Sequence, residues 1–120
     1  MSPITLIIGA SENPERYSYK AAHALAAKGH SFILLAAKEF ELLGQKSLTG
    51  FPDLQNIDTV TLYVGPQRQP EYYNYILKLK PRRVLFNPGT ENSAFQKLLQ
   101  ENNIAFEEAC TLVLLSVGAY

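Results

Sequence analysis

The stretch Gly9-Ala10-Ser11-Glu12-Asn13-Pro14-Glu15-Arg16-Tyr17-Ser18 joins the apolar run Ile4 to Ile8 to the Ala-rich segment Ala21 to Ala27. A buried strand that stops at a glycine, turns through small polar residues and opens a helix presents backbone N–H groups to an anion. Gly9, Ala10, Ser11 and Ser18 are therefore candidates for a phosphate cradle. Arg16 sits between a proline turn and a helix start and offers a planar group whose N–H donors match phosphate oxygens. Its other reading is a surface ion pair with Glu12 or Glu15. Arg68, after the third apolar run, is a secondary candidate for the same contact.

Two further groups bear on the ligand. Asn87-Pro88-Gly89 continues into Thr90-Glu91-Asn92 as a second turn at the end of an apolar run, although Pro-Gly is also a common structural turn pair. Lys38 follows the second apolar run. A nicotinamide dinucleotide site favours an acid there to hold the ribose hydroxyls, whereas a lysine suits a phosphate on the ribose. The dinucleotide fingerprint G-x-G-x-x-G is not met, because Ser11 and Pro14 stand at its second and third glycines.

Bond-making chemistry is thinly supplied. HExxH, paired Cys/His spacing and a nucleophile elbow do not occur, so neither a metal site nor a catalytic triad is expected. His23 and His30 fall on and just after the first helix, where they read as solvated or packing residues. Cys110 reads as a small buried hydrophobe at the end of the last strand; the alternative is a thiol beside the ligand crevice that forms a mixed disulfide.

These residues must be positioned by five short apolar runs, Ile4 to Ile8, Phe32 to Ala36, Val60 to Val64, Val84 to Phe86 and Ile104 to Phe106, separated by helical segments. Continuous rather than alternating runs mark strands covered on both faces. The expected fold class is α/β: a doubly wound, mainly parallel five-stranded sheet of order 3-2-1-4-5 with helices on both faces, in a single domain over residues 1–120. In that order the crevice lies between the first and fourth strands, with Gly9 to Ser18 facing Asn87 to Asn92.

The first helix is expected from about Ser18 to Lys28, with Ser18 as N-cap, Ala21, Ala22, Leu25 and Ala26 inward, and Gly29 closing it. An earlier start, with Asn13 as N-cap and Pro14 in the first turn, obeys the same rules. Lys38 to Ile57 is interrupted by Gly44, Gly50 and Pro52 and is expected to hold partial helix at best. Further helices are expected over Pro70 to Leu79, over Ser93 to Glu101 behind Asn92, and beyond Cys110 with Thr111 as cap.

Eleven basic residues balance eleven acidic ones without long runs, which argues against a nucleic-acid partner. Apolar residues are 47% of the chain and charged residues 18%, and no apolar run reaches membrane-spanning length, so no membrane partner is expected. A lone cysteine and the lack of a secretory signal at the N-terminus favour the cytoplasm.

Gly9-Ala10-Ser11, Asn13-Pro14, Arg16-Tyr17-Ser18, Gly29-His30 and Asn87-Pro88-Gly89 together resemble the small stand-alone CoA-binding domain proteins, which are similar to the N-terminal domain of the succinyl-CoA synthetase alpha subunit. The resemblance covers nearly the whole chain. It implies a Rossmann-like domain that holds coenzyme A across the strand ends, with the ADP part bound and the thiol end directed outward. It places Gly9, Ala10 and Ser11 on the pyrophosphate loop, Arg16 and Ser18 on the next phosphate-facing turn, and Lys38 toward the phosphorylated ribose or adenine. It also aligns Tyr63-Val64-Gly65-Pro66 with the end of the third strand, adding Val64 and Gly65 to the site, and Asn87, Pro88 and Gly89 with the end of the fourth.

The expectation is thus a cytoplasmic protein that binds CoA or acyl-CoA and has no catalysis of its own, with the nucleotide pyrophosphate at the Gly9 to Ser18 loop. Two other classes stay open. One is an NADP-binding or acyl-CoA-using enzyme subunit that needs a partner chain. The other is a ligand-free interaction domain whose apolar tail, Leu112 to Tyr120, drives formation of a homodimer.

Overall fold

The computed structural model describes residues 3–120. From the N-terminus the chain runs through β1 (Ile4–Ile8), α1 (Tyr17–Ala27), β2 (Ser31–Leu35), a small hairpin of β3 (Glu41–Leu42) and β4 (Gln45–Lys46), and β5 (Ile57–Leu62). A 3-10 turn over Pro66–Tyr72 leads into α2 (Tyr73–Leu79), followed by β6 (Arg83–Phe86), α3 (Ser93–Glu101), β7 (Ala105–Glu108) and α4 (Thr111–Ser116).

Five strands pair in parallel in the order β2-β1-β5-β6-β7. The alternation of side chains along a strand sends Leu6 and Ile8 to one face and Ile7 to the other. On the first face they join Val60, Leu62, Val84 and Phe86 beneath Ile76 of α2 and Phe95 and Leu99 of α3. On the second, Ile7, Phe32 and Leu34 pack against Ala22 and Leu25 of α1 and Leu115 of α4. Burial on both faces is why the strands read as unbroken apolar runs.

With the hairpin strands set aside, the order is 2-1-3-4-5, which corrects the expected 3-2-1-4-5. The third main strand, β5, lies directly beside β1. The reason lies in the second crossover, which contains no helix. Leu48 bridges to Leu35, the Ala36 N–H donates to the Leu48 carbonyl at 2.9 Å, and the Leu48 N–H donates to the Leu34 carbonyl at 2.7 Å. The free edge of β2 is thereby taken by the hairpin segment, and β5 pairs with the other side of β1. The sheet is still doubly wound, but its winding reverses between β1 and β5.

Local rules explain most boundaries, with small shifts. Asn92 caps α3 as expected, its Oδ1 accepting from the Phe95 N–H at 3.1 Å. α1 begins at Tyr17 behind Arg16, one residue before the expected start, and Asn13 forms a separate turn by accepting from the Glu15 and Arg16 N–H groups. Ala26 faces solvent rather than the core. Pro70 lies within the 3-10 segment, so α-helical geometry begins only at Tyr73. The cap of α4 is Cys110; Thr111 is already helical and fully buried.

Gly9 ends β1 with φ of +92°, and a Cβ there would lie 2.9 Å from the Tyr63 carbonyl carbon. Backbone conformation and close packing both require glycine. Gly9→Ala is expected to destabilise the fold by about 2–4 kcal/mol, combining positive-φ strain with overpacking. Urea unfolding measures this, and a loss below about 0.5 kcal/mol, the range of neutral surface changes, would contradict it.

Candidate functional site

A groove of about 590 Å³ runs across the carboxyl ends of the strands. Gly9, Ala10 and Ser11 line it from the loop after β1, and Arg16, Tyr17 and Ser18 from the opening of α1. Ala36 and Ala37 border it beyond β2, Tyr63, Val64 and Gly65 beyond β5, and Pro88, Gly89 and Thr90 beyond β6, while Arg68 and Tyr72 reach it from the 3-10 turn. The tertiary structure therefore gathers nine sequence-predicted residues, Gly9, Ala10, Ser11, Arg16, Ser18, Val64, Gly65, Pro88 and Gly89, on one surface.

The donors are arranged differently from the expectation. The Gly9 and Ala10 N–H groups both donate to the Leu35 carbonyl at 3.0 Å, so they tie β1 to β2 and do not face an anion. The open amides belong to α1. Its first turn begins without any side-chain cap, which leaves the Tyr17, Ser18 and Tyr19 N–H groups as the unpaired donors at the positive end of the helix.

Arg16 and Arg68 are exposed on the groove, and among the described residues neither forms an ion pair. Glu15 also lines the groove and offsets part of their charge. The alternative reading of Arg16, a surface pair with Glu12 or Glu15, does not form; Glu12 binds Lys38 at 3.1 Å. Lys38 makes that exposed contact beyond β2 and does not itself line the groove wall.

Asn87 does not border this groove either. It is buried; its Nδ2 donates to Thr61 Oγ1 at 2.6 Å and to the Leu62 carbonyl at 2.9 Å, while its Oδ1 accepts from the Thr111 N–H at 2.9 Å. Its main-chain carbonyl receives the Thr90 N–H and hydroxyl. Asn87 thus sets the loop that carries Pro88 and Gly89, and both of its amide hydrogens are used within the protein.

Sequence reasoning missed Gln69. This fully buried side chain donates to the Val64 carbonyl at 3.0 Å and the Thr90 carbonyl at 2.7 Å and accepts from Asn92 Nδ2 at 2.9 Å, joining the loops beyond β5 and β6. A glutamine between Pro66 and Pro70 carries no local pattern that would announce this role. Tyr17, Tyr63, Tyr72 and Thr90 were also missed; the tyrosines resemble ordinary amphipathic helix or strand-end residues. Burial pushes the Tyr63 hydroxyl up to about 12, tempered by the nearby Thr111 and Thr61 hydroxyls, and no bond of acceptable geometry reaches it.

A separate depression of about 400 Å³ lies between Phe51–Leu54 and α2. Asp53 and Glu71 border it against the single cation Lys78, a balance unfavourable to phosphate. Among the described residues, no group of three or more His, Cys, Asp or Glu side chains is placed to hold a metal ion, and no helix is long and apolar enough to cross a membrane.

The model of the CoA binding domain family matches residues 4–116, and the chain belongs to that family. Among solved structures, a crystal structure of an uncharacterized protein is 48% identical with a TM-score of 0.96, the match covering 100% of this chain and 99% of that one. A hypothetical protein from Pyrococcus horikoshii OT3 is 27% identical with a TM-score of 0.80 over 92% of this chain and 78% of that one. The cell-free ID.343 protein from Thermus thermophilus, 19% identical with a TM-score of 0.88 over 99% and 91% of the two chains, shares the fold. Among curated proteins, none matches the chain.

Asn87→Ala removes three buried side-chain hydrogen bonds and strands the Thr111 N–H and the Leu62 carbonyl. The expected loss of stability is about 2–4 kcal/mol, since each buried group left unpaired costs about 1–3 kcal/mol. Chemical denaturation tests this; a neutral variant would show that the amide does not hold the loop.

Proposed function

We propose that this member of the CoA binding domain family binds CoA or acyl-CoA without catalysis of its own, with the ligand's pyrophosphate against the first turn of α1. The observation that carries this reading is the uncapped helix start between Arg16 and Arg68 within one groove. Backbone donors, helix dipole and two unpaired guanidinium groups all favour a phosphate anion there. Gly65 and Gly89 let the backbone approach a ligand closely, and Ala10, Ala36 and Ala37 give small apolar walls. In this reading a ribose phosphate competes with Glu12 for Lys38, which adjoins the Ala36-Ala37 end.

The absence of catalysis is supported by the groove's own side chains. Among the described residues its walls bring a single carboxylate, Glu15, and no histidine or cysteine, a poor supply of acid–base or nucleophile–base pairs. The phenol of Tyr63, pushed up to about 12 by burial, stays protonated at neutral pH and supplies no base. A lone free cysteine is compatible with the reducing cytoplasm proposed for the protein.

Calorimetry and thermal shift with CoA, acetyl-CoA, ADP, NAD and NADP test the assignment. CoA at 100 times its Kd is expected to stabilise the fold by about 2.7 kcal/mol. Arg16→Ala is expected to weaken binding by about 1–3 kcal/mol, the range for a charge-assisted contact. A melting temperature unmoved by millimolar CoA but raised by NADP would overturn the ligand, and an unchanged Kd would remove Arg16 from the site.

A further inference from the structure

The groove does not end at Pro88. Together with Tyr17 and Tyr63, Pro88 also borders a second, more enclosed chamber of about 200 Å³ whose other walls are Asn87, Cys110 and Leu112. Its lining is mainly apolar. The Asn87 amide is bonded to Thr61, Leu62 and Thr111, and the Tyr63 hydroxyl is buried, which leaves ring faces, a leucine and the half-buried Cys110 thiol.

The strand order gives the chamber a direction relative to the ligand. Ala36 and Ala37 lie beyond β2 and Pro88 beyond β6, with α1 opening from the end of β1 between them. If the pyrophosphate lies against α1 and the phosphorylated ribose toward Lys38, as proposed above, the pantetheine arm runs toward Pro88 and its sulfur meets the chamber mouth. A bare thiol there would leave an apolar space unfilled, whereas a small acyl group would fill it.

We propose that the chamber beside Cys110 and Leu112 receives the acyl group of a short-chain acyl-CoA thioester, making the acylated form the preferred ligand. This inference rests on the CoA reading of the groove. The thioester stays intact, and Cys110 forms part of the wall.

The test is an affinity series by calorimetry with S-methyl-CoA, acetyl-CoA, butyryl-CoA and palmitoyl-CoA. Butyryl-CoA is expected to bind about tenfold tighter than acetyl-CoA, from two further methylenes entering apolar surroundings. Palmitoyl-CoA, too long for an enclosed chamber, is expected to lose that gain. Leu112→Trp, which fills the chamber, should bring butyryl-CoA affinity down to that of acetyl-CoA or below. On the unmodified protein, saturating butyryl-CoA should slow iodoacetamide labelling of Cys110 several-fold, read by mass spectrometry, and S-methyl-CoA should not. A flat series, or Cys110 labelling indifferent to the acyl group, overturns the chamber assignment while CoA binding stands. Failure of every CoA derivative to bind removes the groove reading and the chamber with it.

Discussion

The Asn87 side chain is the contact on which the ligand end of this molecule depends. It joins the end of β5 through Thr61 and Leu62 to the first residue of α4 through Thr111, and the Asn87 main-chain carbonyl accepts from Thr90. Thr61 in turn shares a 2.8 Å hydrogen bond with the Thr111 hydroxyl. These groups are buried, where an unpaired donor or acceptor is costly, so the network favours a single arrangement of the loop beyond β6. Gln69 extends the same constraint to the loop beyond β5. The loops beyond β5 and β6 are thereby joined into one wall of the groove.

The opposite wall is ordered by a simpler device. Leu35 takes two N–H groups, from Gly9 and Ala10, and Gly9 packs against the Tyr63 backbone without room for a side chain. The loop between β1 and α1 is therefore stiff at its start, while the uncapped first turn of α1 keeps its donors open. Stiffness and open donors are compatible because different residues supply them. An equal number of acidic and basic residues leaves no long-range field, so an anion is favoured locally by Arg16, Arg68 and the helix start, against the opposing charge of Glu15.

Sequence made the β-α-β rhythm visible because strands buried on both faces must be apolar throughout, and it located α3 because Asn92 meets a capping requirement set within four residues. The hairpin of β3 and β4 was illegible for a related reason. Its turn uses Leu43 at φ of +54° with Gly44 at +76°, a conformation that leucine does not advertise. The tail, in one open alternative a self-association surface, is divided: Leu115 is buried against α1 and the sheet and Tyr120 packs on the same cluster and bonds Thr5, while Val113 and Val117 are exposed.

The sequence by itself determined the parallel α/β class and the glycine at the end of β1, which follow from apolar patterning and a local backbone requirement, and it marked Gly9, Ala10, Ser11, Arg16 and Ser18 at the groove, with Val64 and Gly65 added by the family resemblance. Only the tertiary structure decided the strand order, because whether β5 joins the free edge of β2 or that of β1 depends on Leu48 covering the former. It likewise decided which polar residues remain available to a ligand. Asn87 has suitable chemistry, but its partners Thr61, Leu62 and Thr111 lie far away in sequence, and hydrogen-bonding capacity used by a distant partner cannot be read along the chain.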